Sequence, residues 1–225
     1  MRYLYTDIET LPSTDPYLID RIKAGIKPPG QYKKPESIAE WMAANAESAT
    51  QEELSKTALD GLYGSIACIC WAVDDGPIFS GMVADDLGEY DMIRQTFRAM
   101  DEAATDPVSG SVMTLIPVGH NIEFDLRFLF QRAVRYGIRL PACIHHAFDY
   151  TGRPEYRDTM KLWAGHRGYV KLKDLARELL GDTGLDIDGS EVAFYWKQKP
   201  LLVVDHCRQD VERVRKLFAM IRGVV

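Results

Sequence analysis

The sequence predicts an α/β fold in which helices pack on a mixed β-sheet. Apolar runs typical of strands alternate along the chain with longer segments of helical periodicity. The strand-like runs at 64–73 and 77–84 are joined by the turn sequence DDGP, which indicates an antiparallel hairpin. The run at 111–121 is mostly apolar, which is typical of a strand buried on both faces.

Length and composition indicate a soluble globular protein of one large domain or two small ones. The chain has 225 residues, of which 46% are hydrophobic, enough for a sizeable core. No stretch approaches 18 consecutive apolar residues and the start lacks a signal-peptide pattern, so we expect a cytoplasmic protein without a membrane segment. The net charge of −6 excludes coating of nucleic acid through bulk charge, but not local contact. No cysteine has zinc-site spacing, and we expect four free, buried thiols: Cys68, Cys70, Cys143 and Cys207.

The first half of the chain combines a strand, a helical insertion and the hairpin. The elements predicted before the hairpin are a strand at 2–9, a short helix at 15–24 and helices at 36–48 and 50–62. The last of these helices opens with Thr50 and Glu53 at the spacing of a capping box. We therefore expect a helical insertion at about 10–60, which would form a lid or a surface for a protein partner.

The second half is predicted to be mostly helical. Its elements are a helix near 87–104 capped by Asp85 or Asp86, the strand at 111–121, a helix at 123–137, a short strand or turn within 156–163, and helices at 171–181, 189–198 and 203–222. The predicted core side of the 123–137 helix comprises Leu126, Leu129, Phe130, Ala133 and Val134. On the last helix, Asp205 is predicted to be the N-cap.

The first strand ends on two acids, in the sequence RYLYTDIET. Asp7 and Glu9 are two residues apart and therefore point to the same face of a strand, where their carboxylates repel each other. A solvated strand end would explain this pair. A bound cation would also explain it, because a positive charge between two carboxylates offsets their repulsion.

Further acids lie where they could join this pair. Asp125 is in the first turn of the helix that follows the buried strand. His206 and Asp210 are four residues apart on the last helix and share one face, an arrangement that is either structural or catalytic. If both helices pack on the sheet, four carboxylates meet at one point, where Mg²⁺ or Mn²⁺ would suit their oxygens. Glu123 is better explained as a partner of the helix dipole.

Three short motifs occur in order along the chain: DIET at 7–10, HNIEFD at 120–125 and HCRQDVE at 206–212. With these spacers they resemble the DEDD superfamily of 3′–5′ exonucleases, which includes proofreading domains of DNA polymerases. The segments YRDTMKLW, VKLKDLARELLG and DIDGSEV are similar to those of a polymerase-B-like branch. The resemblance covers nearly the whole chain except the insertion. It implies a ribonuclease-H-like fold, with one stand-alone exonuclease domain over 1–225.

The resemblance also implies an activity and its residues. The expected reaction is metal-dependent hydrolysis from the 3′ end of DNA, with single strands favoured, releasing nucleoside 5′-monophosphates. Two divalent cations, Mg²⁺ or Mn²⁺, would be bound, one by Asp7, Glu9 and Asp210 and the other by Asp7 and Asp125. The residues implied to contact the 3′-terminal nucleotide are Thr10, Leu11, Asn121 and Phe124. Ordinary core packing would also explain Leu11 and Phe124.

The third motif departs from the family pattern at one position. The branch with this spacing has Tyr four residues before the last Asp, whereas the other main branch has His five residues before it. In this chain His206 lies four residues before Asp210. An imidazole, with an unperturbed pKa of about 6.5, is a better base near neutral pH than a phenol with a pKa of about 10. We therefore predict that His206 orients or deprotonates the attacking water.

Two other functions fit the sequence. An RNA-trimming exonuclease of the same fold would use the same residues, and the sequence has no selector for the 2′-hydroxyl. A nucleic-acid-binding module could keep the fold without catalysis, although the presence of all four acids argues against this. A local basic cluster would steer phosphates toward the site or form a solvated helix start; it comprises His166, Arg167, Lys171 and Lys173.

Overall fold

The predicted mixed sheet is present in the computed structural model, which describes residues 2–84, 87–106, 109–148 and 155–224. Its strands are β1 (Arg2–Leu11), β2 (Ser65–Val73), β3 (Phe79–Met82), β4 (Leu115–Gly119) and β5 (Arg157–Asp158). They lie in the order β3-β2-β1-β4-β5, so β1 is central. β1 and β3 both pair antiparallel with β2, whereas β1, β4 and β5 run parallel. The carboxyl ends of these three parallel strands therefore share one edge of the sheet.

Helices pack on both faces of the sheet. They are α1 (Pro16–Gly25), α2 (Pro35–Lys56), α3 (Glu89–Ala103), α4 (Ile122–Tyr136), α5 (Ala142–Ala147), α6 (Thr159–Ala164), α7 (Leu172–Leu180), α8 (Val192–Gln198) and α9 (Pro200–Arg222). α1, α2 and a 3-10 turn at Thr57–Leu59 form the helical insertion that was predicted after the first strand. In the described part of the chain, no helix combines the length and apolar character needed to cross a membrane.

Two predicted helix starts are wrong. α2 is one continuous helix where two were predicted, because the Thr50 hydroxyl does not cap a new helix but donates to the Ala46 carbonyl at 2.7 Å. Because the Thr50 side chain bonds to the preceding turn, the helix continues through Thr50, although threonine often begins a helix. α9 begins at Pro200, which tolerates the first helical turn, so Asp205 lies exposed within the helix and is not its N-cap.

Smaller differences concern α3 and α4. Gly88 is the N-cap residue of α3, and the predicted caps Asp85 and Asp86 lie outside the described residues. On α4, Val134 was predicted to face the core but is 64% exposed, whereas Phe128 is fully buried. The core side of α4 therefore includes Phe128 and excludes Val134.

Alternate residues of β1 face two different core layers. Leu4 and Ile8 belong to the layer that includes residues of α3 and α4. Tyr5 belongs to the opposite layer, which α9 covers. Because Asp7 and Glu9 follow Tyr5 at two-residue steps, their side chains project toward α9.

A buried ion pair determines where the insertion returns to the sheet. The Arg132 guanidinium donates to both carboxylate oxygens of Glu89, at 2.8 and 2.6 Å, and to the Gly61 carbonyl at 3.0 Å. The Gln131 side-chain oxygen accepts a hydrogen bond from the Gly61 N–H at 2.9 Å. These bonds join α3, α4 and the chain before β2.

Candidate active site

The central strand carries two acids toward α9. Asp7 and Glu9 lie on one face of β1, near its carboxyl end, and Glu9 is buried. The β1–β2 ladder changes register directly after Glu9, which pairs with Cys68, whereas Thr10 pairs with Ile66. Such an irregularity re-aims side chains and ends regular pairing. The acids thus lie where the sheet stops being regular.

α4 adds a third acid. Asp125 is buried in the first turn of α4, and its Oδ1 accepts a hydrogen bond from the backbone N–H of Ile8 at 3.1 Å. Because Ile8 lies between Asp7 and Glu9, this bond holds the Asp125 carboxylate against the acid-bearing part of β1. Asn121, just before α4, has a φ of 58°, a left-handed conformation that turns the chain sharply from β4 into α4.

α9 adds an imidazole and a fourth acid. His206 Nε2 lies 3.6 Å from Glu9 Oε1 and 3.6 Å from Asp210 Oδ2. These distances exceed those of direct hydrogen bonds but are short enough for electrostatic interaction between the imidazole and the carboxylates. His206 is buried, and its Nδ1 has no hydrogen-bond partner among the described residues. One ring nitrogen therefore faces the carboxylates.

Burial raises the pKa of every acid in this group. Burial is the largest cause and lifts the pKa of Asp7 and of Glu9 well above the ordinary range, and the neighbouring carboxylates add to the rise. Burial also raises the pKa of Asp125 to about 8, although two backbone N–H groups oppose the rise. For Asp210, burial raises the pKa while a nearby imidazole and guanidinium oppose it. Ionising all four acids together therefore requires added positive charge.

Arg213 holds the acid of α9 in place. Its buried guanidinium donates to Asp210 Oδ1 at 2.7 Å and to the Asp182 carboxylate at 3.1 and 3.2 Å. The other oxygen of Asp210 is the one that faces His206. Sequence reasoning missed Arg213 and Asp182. The three-residue spacing between Asp210 and Arg213, which places both on one helix face, was the available signal.

The acids lie at a cleft of about 360 Å³. Asp7, Glu9, His206 and Asp210 all contribute to its lining, whereas Asp125 lies behind its wall. The structure thus brings the five predicted catalytic residues to one place, four on the surface of the cleft and one directly beneath it. A polar cleft with several buried acids suits a cation and a phosphate better than an apolar ligand.

A second cleft of about 310 Å³ adjoins the first, and both are lined by Ile8 and Glu9. Two of the predicted nucleotide contacts, Thr10 and Phe124, line this second cleft. Leu11 lines neither cleft and packs against the core layer beneath α9, as the alternative prediction of core packing has it.

Asp158, at the end of β5, is a further buried acid beside the group. Its Oδ1 accepts hydrogen bonds from the backbone N–H groups of Asn121 and Met160, both at 2.9 Å, so it caps α6 and holds the start of α4. Its Oδ2 is buried without a hydrogen-bond partner among the described residues, and its charge contributes to the raised pKa of Asp125. Asn121, which it holds, lines the first cleft.

The donor set, four carboxylates and an imidazole, fits hard divalent cations. Among the described residues, only Cys68, Cys70 and Cys207 form a group of three or more potential ligands with all ligand atoms within 4.8 Å. These three are free thiols, fully buried in the core layer beneath α9, as predicted. The carboxylates are close enough to raise one another's pKa but remain more widely spread.

Comparison with known proteins supports the fold. No family model matches the chain, and no curated protein matches it. Among solved structures, the family B DNA polymerase from the hyperthermophilic archaeon Pyrobaculum calidifontis is similar, with a TM-score of 0.56 and 16% sequence identity. The match covers 98% of this chain and 24% of the polymerase chain. At this identity the similarity shows the fold alone, and the fold is the ribonuclease-H-like α/β fold that the sequence predicts.

Proposed function

We propose that this chain is a metal-dependent 3′–5′ exonuclease that hydrolyses phosphodiester bonds at the 3′ end of DNA and releases nucleoside 5′-monophosphates. The observation that carries the proposal is the cluster of four carboxylates, two buried and two half-buried, from three elements distant in sequence, beside an imidazole at one cleft. Grouping them is costly unless cations offset their repulsion. The order of the three motifs supports the proposal, as does the fold shared with a DNA polymerase.

The residues present suit two divalent cations, Mg²⁺ or Mn²⁺. Asp7, Glu9 and Asp210 would hold one cation, and Asp7 and Asp125 the other. When bound, such a pair stabilises the attacking and leaving oxygens of a phosphoryl displacement. Of the two Asp210 oxygens, Oδ1 is held by Arg213, which leaves Oδ2 for a cation.

The chain's own residues would position the water and take its proton. In the proposed reaction the water oxygen forms a bond to the terminal phosphorus, and the bond from phosphorus to the 3′ oxygen of the preceding nucleotide breaks. His206 Nε2 lies between carboxylate oxygens of Glu9 and Asp210, where it could accept the proton that the water loses. The leaving 3′ oxygen would take a proton from solvent.

The second cleft suits the terminal base and sugar. Phe124 offers an apolar surface against which a base can pack without being identified, and the Thr10 hydroxyl, which donates to the Ala58 carbonyl at 2.8 Å, keeps its oxygen as an acceptor. Lys56 and Ala58, from the end of the insertion, line the same cleft. This contribution favours a role of the insertion as a wall or lid of the substrate site. A protein partner for the insertion and a cytoplasmic location stay predictions.

The proposal is tested with purified protein and end-labelled single-stranded DNA and RNA, in Mn²⁺ and in EDTA. We expect stepwise shortening of DNA from the 3′ end that EDTA blocks. Faster shortening of RNA would favour the RNA-trimming alternative. Binding without shortening would favour the catalytically inactive module.

We expect His206→Ala to lower the turnover of single-stranded DNA by about 10²-fold near neutral pH, because the attacking water loses its proton acceptor. The loss should shrink toward pH 9, where hydroxide is more abundant and needs no base. Turnover measured from pH 6 to 9 checks this. Asp205→Ala, an exposed neighbour on the same helix, is the control and should change turnover little. Equal profiles for wild type and His206→Ala would remove His206 from the reaction.

A further inference from the structure

The segment 161–173 beside the catalytic cleft has a charge opposite to that of the whole protein. The chain has a net charge of −6, but this segment contains no Asp or Glu. Its basic residues are Lys161, His166, Arg167, Lys171 and Lys173. Charges of one sign concentrated at the mouth of a cleft attract a ligand of the opposite sign.

Local ion pairs engage only part of this positive charge. Lys161 pairs with Glu123 at 2.6 Å and Lys173 with Asp186 at 2.6 Å, whereas Lys171 lies at the longer distance of 3.8 Å from Asp188. Arg167 has no ion-pair partner in the described part of the chain. Because a guanidinium is always charged at physiological pH and suits phosphate geometry, Arg167 is available for an anionic ligand.

The same segment leaves large apolar side chains exposed. Leu162 is 48% exposed, Trp163 53% and Tyr169 73%. Burying such side chains would contribute about 1.5–3 kcal/mol each, so several of them exposed in one short segment indicate a surface that contacts a partner. Both aromatic residues alternate with basic ones in the sequence KLWAGHRGYVK.

This segment is held in a defined conformation beside the site. His120 Nε2 donates to the Val170 carbonyl at 2.8 Å, and its Nδ1 lies 3.0 Å from Thr159 Oγ1, so the side chain just before α4 contacts a residue within the segment and one shortly before it. Gly165 has a φ of 78°, and a Cβ at Gly168 would collide with the backbone of α6, so the turn requires both glycines.

The second half of the segment reaches the cleft itself. Tyr169, Lys171 and Lys173 line the same 360 Å³ cleft as Asp7 and Glu9. A polymer whose 3′ end lies at the acids would leave the cleft past residues 161–173, which form its rim.

We propose that the rim formed by residues 161–173 binds the unpaired nucleotides that precede the 3′ end, with bases stacked on Trp163 and Tyr169 and phosphates contacted by Arg167 and Lys171. This inference rests on the proposed function and specifies its substrate as a single strand. Base faces are available for stacking only when the bases are unpaired, because a duplex already stacks them on each other. Stacking on aromatic rings also tolerates any base, as an exonuclease that shortens any sequence requires.

The test measures binding without cleavage. Wild type and the variants Trp163→Ala and Tyr169→Ala are titrated in EDTA with a fluorescently labelled single-stranded oligonucleotide and with the matching blunt duplex. We expect each variant to bind the single strand about 10-fold more weakly, the size of one lost stacking contact. The wild type should bind the single strand more tightly than the duplex, and the Arg167→Gln variant should show a smaller salt dependence.

Tyr90→Ala is the matched control, since Tyr90 is an exposed aromatic residue on α3, which packs on the opposite face of the sheet. Its affinity should equal that of the wild type, and thermal unfolding should show that all variants are folded. With Mn²⁺, the rim variants should raise KM by about the same factor as the affinity loss and leave kcat within about two-fold.

Single-strand affinities of the rim variants equal to the Tyr90→Ala control, or tighter wild-type binding to duplex, would overturn the rim proposal even if the protein cleaves DNA. Absence of Mn²⁺-dependent cleavage together with lost affinity in the rim variants would instead overturn the exonuclease and leave a single-strand-binding surface.

Discussion

Asp7→Asn is expected to lower the rate of Mn²⁺-dependent shortening of single-stranded DNA by about 10³-fold or more. In the proposed site, Asp7 is the one carboxylate shared by both cations, so its loss weakens both. Cations of this kind contribute several kcal/mol to a phosphoryl displacement, and about 4 kcal/mol corresponds to about 10³-fold in rate. The measurement is the initial rate of shortening at saturating Mn²⁺.

The same variant should fold at least as stably as the wild type in EDTA. Asn keeps the shape of Asp but removes one of the buried charges that raise the pKa of the neighbouring acids. Thermal unfolding therefore separates loss of chemistry from loss of structure. If Asp7→Asn instead melted in EDTA below the temperature of the activity assay, the loss of activity would be attributed to unfolding.

Asp188→Asn is the matched control, because Asp188 lines the same cleft but its side chain is half-exposed and faces Lys171. Its rate should stay within about two-fold of the wild type, as for most surface substitutions. Retention of activity in Asp7→Asn, with Asp188→Asn unchanged, would show that the four acids do not form the catalytic centre.

The acids were predictable from the sequence because they follow from local periodicity and strand order. The two-residue spacing of Asp7 and Glu9 fixes their shared face, and the four-residue spacing of His206 and Asp210 fixes theirs. Asp125 follows the buried strand β4, whose carboxyl end lies beside that of β1 in a parallel pair. These positions depend only on residue spacing within β1 or α9 and on the pairing of β1 with β4.

The supporting contacts were not predictable, because they join residues through tertiary packing. Asp182 meets Arg213 only when the loop after α7 lies against α9. The rim at 161–173 depends on His120, which contacts Thr159 and Val170 across the gap between segments. Its basic residues were visible in the sequence, but a solvated helix start explained them equally well until the exposed aromatic residues were located.

In EDTA, the protein should lose thermal stability as the pH rises from about 5 to about 8. Burial raises the pKa of Asp125 from an ordinary 3.8 to about 8, and the pKa of Asp7 and of Glu9 is raised in the same direction. In this pH window the folded protein therefore holds more protons than the unfolded chain. Stability falls with pH wherever the folded state binds more protons, so the stabilising effect is complete near pH 4 and is lost as the pH approaches 8.

Excess Mn²⁺ or Mg²⁺ should remove this loss and reverse it near pH 8, because cations bind the ionised carboxylates of the folded state only. A difference of about 2 kcal/mol moves the melting temperature of a chain of this size by about 4–8 °C, which calorimetry resolves readily. Asp125→Asn, which cannot titrate, should show a shallower pH dependence in EDTA and a smaller gain from Mn²⁺. A melting temperature that is flat from pH 5 to 8 in EDTA and unmoved by Mn²⁺ would mean that the four acids neither repel one another nor bind cations. The proposed chemistry would then have no physical basis at this cleft.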